Sequence, residues 1–441
     1  MPRTSTRSPI WAIPVGGRDN ILSIYRQMED HSLGGSATRG QGGPLGVSVP
    51  TRTEPVCEAM IGAGEKMGWK RVDDVNASDE ERIGYAPSST RGGTRVSTAR
   101  AFLRPARGRS NLRVLTDTEL TDLVFDGTRV VGVRCTSKGG AKEYRTRGEV
   151  ILSMGSFESP LTLERAGIGR GDVLRAAGIQ LRIESPNVGE KMREHRAVGM
   201  QARLKPNLGY NRHIRSKVAQ GWTGAKYLAS RQGVISQPAY DLAAYFKADE
   251  SSDRPQLQAF LSPLSVETPG ENEVQHSKLI PERESGLNFL TYALRPTSTG
   301  SVHVTGPTPD HLPAVDPNYL ATQEDRDITR KGFLTMRELL ECSPLAELVE
   351  FESVPSKSVS TDEQIDRHIL LNGSTGYHSL GTCAMGPNDD DVVDADLRVR
   401  GVKGLRVVDA SVFPSMVSGN CNAPTIAFAW RAADLIKAQA G

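Results

Sequence analysis

The chain has 441 residues, of which 54 are basic and 52 acidic, for a formal net charge of +2. This length allows two domains or one large elaborated one with a substantial core, and the near-neutral balance gives no electrostatic reason to expect nucleic acid or an anionic membrane as partner. The 44 glycines and 26 prolines are near ordinary usage, which excludes collagen-like and disordered classes.

Residues 1–18 are rich in Arg, Pro, Ser and Gly without a period and read as an irregular leader. Residues 21–30 read as a short helix that turns Tyr25 and Met28 inward. A glycine-rich loop follows over 34–45. It neither follows an apolar strand nor opens an amphipathic helix, so it lacks the amide donors of a phosphate cradle and reads as a surface loop or lid. Residues 54–67 have helical spacing, and Arg91, Arg95, Arg100, Arg104 and Arg107 read as a solvated basic face. Three β-rich runs, 111–116, 119–125 and 130–135, are separated by turn signals such as Asp126-Gly127. Residues 149–153 form a compact apolar strand entering a small-residue turn, with a helix predicted from near Pro160, where proline is tolerated at the first position. That unit looks like one edge of a doubly wound α/β sheet. Alternating runs at 240–246, 257–261 and 287–294 predict an antiparallel sheet, 324–342 a helix, 405–408 a strand and 425–439 a final helix.

The five cysteines are odd in number, scattered and free of C-x-x-C spacing, and the eight histidines form no H-x-x-x-H pair. No metal site is expected, and a reducing compartment is. With no run of 18 apolar residues and no secretory signal, the expectation is a cytoplasmic protein without an integral membrane segment.

The last quarter carries the most specific pattern. His378 lies in Tyr377-His378-Ser379-Leu380-Gly381-Thr382-Cys383; a strand ends at Asp409-Ala410; and Ser418-Gly419-Asn420-Cys421-Asn422-Ala423-Pro424-Thr425 follows. One histidine and one amide thus flank a strand that ends in an aspartate at the ligand-binding carboxyl edge of an α/β sheet. A base with a pKa near neutrality and a polar partner for oxygen suit the oxidation of an alcohol beside a flavin.

With these residues the chain resembles the glucose–methanol–choline (GMC) family of FAD-dependent oxidoreductases from about Ile21 onward. The likeness is carried by Tyr25-Arg26-Gln27-Met28-Glu29-Asp30 with Gly42-Gly43-Pro44-Leu45, and by Thr94-Arg95-Val96-Ser97 with Ala101-Phe102-Leu103. It continues through 149–169, Val188-Gly189-Glu190, His195, Arg295-Pro296 with Gly300-Ser301-Val302, and the C-terminal block. Thr162 and Ala166 depart from the family pattern in packing only. The resemblance implies an α/β fold with an incomplete FAD-binding doubly wound sheet and an antiparallel substrate-binding domain. It divides the chain into a leader (1–20), a partial FAD-binding domain (21–196), a substrate sheet (197–305), its helical part (306–376) and a C-terminal FAD-binding and catalytic segment (377–441).

The resemblance further implies FAD as cofactor, a small alcohol as substrate, and oxygen, a quinone or another molecule as electron acceptor. His378 falls at the base position. Asn420 falls at the position of the residue that hydrogen-bonds the substrate oxygen, with Asn422 as its close alternative. Leu120, Ser153, Gly155, Asp409, Ala410, Asn420, Pro424 and Thr425 would contact FAD. Cys383 and Cys421 read as structural thiols, since neither has a base or cysteine partner. The family opens with a G-x-G-x-x-G turn, and this chain has none, so the N-terminal portion is expected to be lost. The alternatives are a remnant unable to hold FAD, and a lyase of the hydroxynitrile type.

Overall fold

Residues 18–50, 53–267 and 280–439 are described by the computed structural model. The three alternating runs become strands Leu242–Phe246, Leu257–Ser262 and Gly286–Ala293. They lie in one sheet with the order Val349–Val354, Arg196–Leu204, Gly286–Ala293, Leu257–Ser262, Leu242–Phe246, Arg82–Tyr85 and Lys70–Arg71. Neighbours are antiparallel except the last two. The sheet therefore draws on 70–85 and 349–354 as well as on 197–305.

Alternation along each strand divides two sets of side chains. Leu242, Ala244 and Phe246 pack on the Pro55–Lys66 and Gln323–Glu341 helices through Val56, Met60, Phe333 and Met336. Each such fully buried large apolar side chain contributes about 1.5–3 kcal/mol. Ala243 and Tyr245 point the other way, into a cluster with Tyr292 and Leu294. That second face looks toward the candidate site.

The remaining framework is smaller. Thr118–Asp126, Arg129–Ser137 and Gly140–Arg145 form an antiparallel three-stranded sheet, and Val150–Leu152 pairs in parallel with Leu405–Val407. This parallel pair is the expected edge of a doubly wound sheet, joined by the Gly155–Arg165 helix and the final Asn422–Gln439 helix.

Several expectations need correction. Residues 111–116 form no strand; Leu112, Val114 and Leu115 stay exposed, because β-prone residues become a strand only where a neighbour completes the ladder. The first helix runs Arg18–Met28, and Glu29–His31 is already a strand paired with Leu45–Val47. The glycine loop between those strands is packed close on the end of that helix: a Cβ on Gly40 would lie 2.0 Å from the Arg26 carbonyl oxygen. The helix expected from Pro160 begins earlier, at Gly155, and Pro160 sits inside it. A proline there removes the N–H that would cap the Ser156 carbonyl. Thr382 Oγ1 donates to that carbonyl instead, at 2.7 Å. An unforeseen helix, Lys217–Ser230, buries none of its residues.

Candidate active site

His378 is presented by an irregularity between two paired segments. Bridges Arg193–Leu380 and Arg196–Thr375 enclose Glu194 and His195 on one side and 376–379 on the other. The longer side must bulge, a device common beside active sites. Tyr377 adopts the left-handed region at the bulge (φ 57°) and is 88% exposed. The freed His378 N–H is satisfied by the buried Glu194 carboxylate at 2.9 and 3.1 Å. Glu194 also accepts from the Ser379 hydroxyl and from His195 N–H.

The imidazole of His378 is 8% exposed, and burial pushes its pKa down to about 4. It is therefore a neutral ring at pH 7. Its Nδ1 lies 2.8 Å from Nδ1 of His195, and its Nε2 lies 3.1 Å from Nδ2 of Asn420. His195 is fully buried, stacks on Tyr292 with centroids 4.6 Å apart, and has its pKa lowered to about 3 by burial and by His378. Gly376 permits this contact: a Cβ there would sit 3.0 Å from both His195 Cβ and His378 Nδ1.

Asn420 stands exposed just before the final helix, while Asn422 is that helix's first residue, and His378 Nε2 bonds to Asn420. The helix N-terminus beside it favours negative charge. Pro424 and Thr425 lie in its first turn, where Thr425 Oγ1 donates to the Cys421 carbonyl at 2.7 Å. Cys421 and Cys383 are buried, and burial raises both thiols, Cys421 to about 12.

The carboxylate of Asp409 is engaged with the protein itself. Oδ2 accepts from Gly155 N–H at 2.9 Å and Ser159 Oγ at 2.6 Å, and Oδ1 from Ser411 N–H at 2.8 Å. It joins the end of the Leu405–Val407 strand to the start of the Gly155–Arg165 helix, with Ala410 opening the next short turn. Ser153 is exposed beside Gly155, whose backbone is left-handed (φ 83°) and whose added Cβ would meet nothing within 4 Å. Exposed Ile151, Met154 and Phe157 surround them. Leu120 is half-buried on its strand, packed against the same core. This turn of small residues and exposed apolar side chains, at the end of the Val150–Leu152 strand, leaves open space that would fit part of a flavin dinucleotide.

A neutral buried imidazole bonded to an amide can take a hydroxyl proton while the amide holds the oxygen. Such a pair suits the oxidation of an alcohol. Profiles of GMC oxidoreductase match residues 11–197 and 296–429, the first reaching into the stretch read as a leader. An oxygen-dependent choline dehydrogenase from Chromohalobacter salexigens is 32% identical over 95% of this chain and 74% of its own length. The mitochondrial choline dehydrogenase of Homo sapiens is also 32% identical, over 95% of this chain and 70% of its own. The crystal structure of pyridoxine 4-oxidase from Mesorbium loti superposes with a TM-score of 0.81 at 29% identity, covering 96% of this chain and 78% of that one. The chain belongs to the GMC oxidoreductase family and is an FAD-dependent oxidoreductase acting on alcohols.

The structure brings the expected pair His378 and Asn420 into contact, whereas the sequence assigned Glu194 no role and His195 only a place in the likeness. The signal for both was the Glu194-His195 pair itself, two polar residues immediately before the 196–204 strand.

Proposed function

We propose that the chain oxidises a small primary alcohol to an aldehyde, with His378 as the base and Asn420 as the group that holds the substrate oxygen. FAD, when bound, supplies the hydride acceptor. The reading is carried by the His378 Nε2 to Asn420 Nδ2 contact of 3.1 Å, which marks where the hydroxyl would insert. The hydroxyl proton passes to Nε2 of His378, and the amide N–H of Asn420 stabilises the negative charge growing on oxygen. Burial of His378 keeps its lone pair free of a proton at neutral pH, and Glu194 holds its backbone in place.

Aromatic rings lead away from this point. Tyr292 lies 6.0 Å from the His378 ring, Phe260 6.3 Å from Tyr292, and Tyr240 5.5 Å from Phe260. Such a row suits a quaternary ammonium or an aromatic head group, through cation–π or stacking contact. Choline and pyridoxine, named in two of the relatives, each present one such head beside a hydroxymethyl group. The FAD binders inferred here are Leu120, Ser153, Gly155, Ala410, Pro424 and Thr425, with Asp409 shaping the turn.

No helix among the described residues is long and apolar enough to cross a membrane. The proposed cytoplasmic location rests on the five free cysteines, which suit a reducing compartment. The test is aldehyde formation by the FAD-loaded chain from choline, pyridoxine and ethanol, with oxygen or a soluble quinone as acceptor. Turnover of choline or pyridoxine well above ethanol is expected. Absence of aldehyde from all three overturns the reading.

A further inference from the structure

We propose that His195 is a positioning residue that fixes the tautomer of His378, leaving the lone pair on Nε2; this rests on the reading of His378 as base. Nε2 of His195 lies 3.1 Å from the Leu294 carbonyl oxygen. A carbonyl only accepts, so that nitrogen carries the proton. The ring is fully buried, stacked on Tyr292, and bonds to no carboxylate among the described residues, so it is neutral and holds one proton. Its Nδ1 is then an acceptor.

The contact between His195 Nδ1 and His378 Nδ1, at 2.8 Å, needs one donor, and only His378 is left to supply it. A neutral His378 that carries its proton on Nδ1 has its lone pair on Nε2, facing the amide of Asn420. Every bond in the chain from Asn420 through His378 and His195 to Leu294 points the same way. No other assignment of two neutral rings satisfies all three contacts.

Two consequences follow for the reaction. When Nε2 takes the hydroxyl proton, His378 becomes an imidazolium, and its Nδ1–H bond to neutral His195 becomes charge-assisted and stronger. The chain ends in a carbonyl that accepts but cannot pass a proton on, so the proton gained at Nε2 must leave from Nε2.

The test pairs nuclear magnetic resonance of the chain carrying 15N-labelled histidine with anaerobic flavin reduction by the alcohol. In the unaltered chain the His378 signals, assigned by their loss in His378→Gln, should show the proton on Nδ1; a proton on Nε2 overturns the proposal. His195→Leu removes the acceptor and should move the proton of His378 to Nε2, slowing flavin reduction by about 100-fold or more. His195→Asn places a carbonyl near the lost Nδ1 and should restore the Nδ1–H tautomer and most of the rate. Equal rates and tautomers in His195→Leu and His195→Asn would reduce His195 to packing and overturn the proposal. Full activity in His378→Gln would instead overturn the base itself, whatever the tautomer.

Discussion

Both oxygens of the Glu194 carboxylate accept from the backbone N–H of His378, at 2.9 and 3.1 Å. A buried acid 184 positions before His378 in the chain thus fixes the bulge that presents it. Glu194→Ala leaves the N–H groups of His195 and His378 and the hydroxyl of Ser379 without this acceptor. Unsatisfied buried donors cost about 1–3 kcal/mol each. Chemical denaturation should show a loss of that order for the variant, and Glu194→Gln, which keeps one acceptor oxygen, a smaller one.

Asn420 and Asn422 are separated by the geometry. Removing one preorganised donor to a developing oxyanion costs about 10²–10³ in kcat. Asn420→Ala should show a loss of that size, and Asn422→Ala at least tenfold less. Steady-state rates of the two variants under saturating alcohol decide the assignment.

Asp409 is expected to act on the cofactor through the fold. Asp409→Ala strips acceptors from Gly155 N–H, Ser159 and Ser411 at once. The turn between the Leu405–Val407 strand and the Gly155–Arg165 helix should loosen, lowering both the unfolding midpoint and FAD affinity. Fluorescence titration with FAD checks this; an Asp409→Ala chain that binds FAD like the parent would contradict it.

Burial sets a pH dependence. His378 has an unfolded pKa near 6.5 and a folded value of about 4. Above pH 6.5 the ring is neutral in both states and its contribution is complete. Between pH 6.5 and pH 4 the unfolded chain binds the proton more readily, so stability falls as pH falls, by about 1.4 kcal/mol for each pH unit crossed. His195, lowered to about 3, extends the same loss further down. His303 has the opposite sign. Burial disfavours its charge, but hydrogen bonds and charge from Glu164 and Glu190 outweigh burial and raise its pKa, so its contribution is present below 6.5 and lost as pH rises through the raised value. Urea denaturation at pH 7 and pH 5 should show the net fall toward acid, and His378→Gln should flatten it.

What was legible in the sequence was local. Short apolar runs of strand length marked the three central strands at 242–246, 257–262 and 286–293; each buries both faces in one sheet, so they read as apolar runs more than as a strict alternation. The C-terminal block gave His378 and Asn420, because both lie in short motifs. What escaped depends on distant partners. Pro160 reads as a helix start until Thr382, far along the chain, is seen to take the place of its missing N–H. Leu112, Val114 and Leu115 have strand composition without a strand. Helix Lys217–Ser230 buries nothing, so no apolar stripe announced it, although Ser216 caps it by accepting from Ala219 N–H. Glu194 and His195 acquire roles only when 376–379 folds back against them.

The central claim is that His378 removes the substrate proton. The direct test is anaerobic mixing of the FAD-loaded chain with choline or pyridoxine, following flavin absorbance in the parent and in His378→Ala at equal FAD content. The account predicts rapid bleaching in the parent and a rate lower by about 10²–10⁴ in the variant. Equal bleaching in both would contradict it.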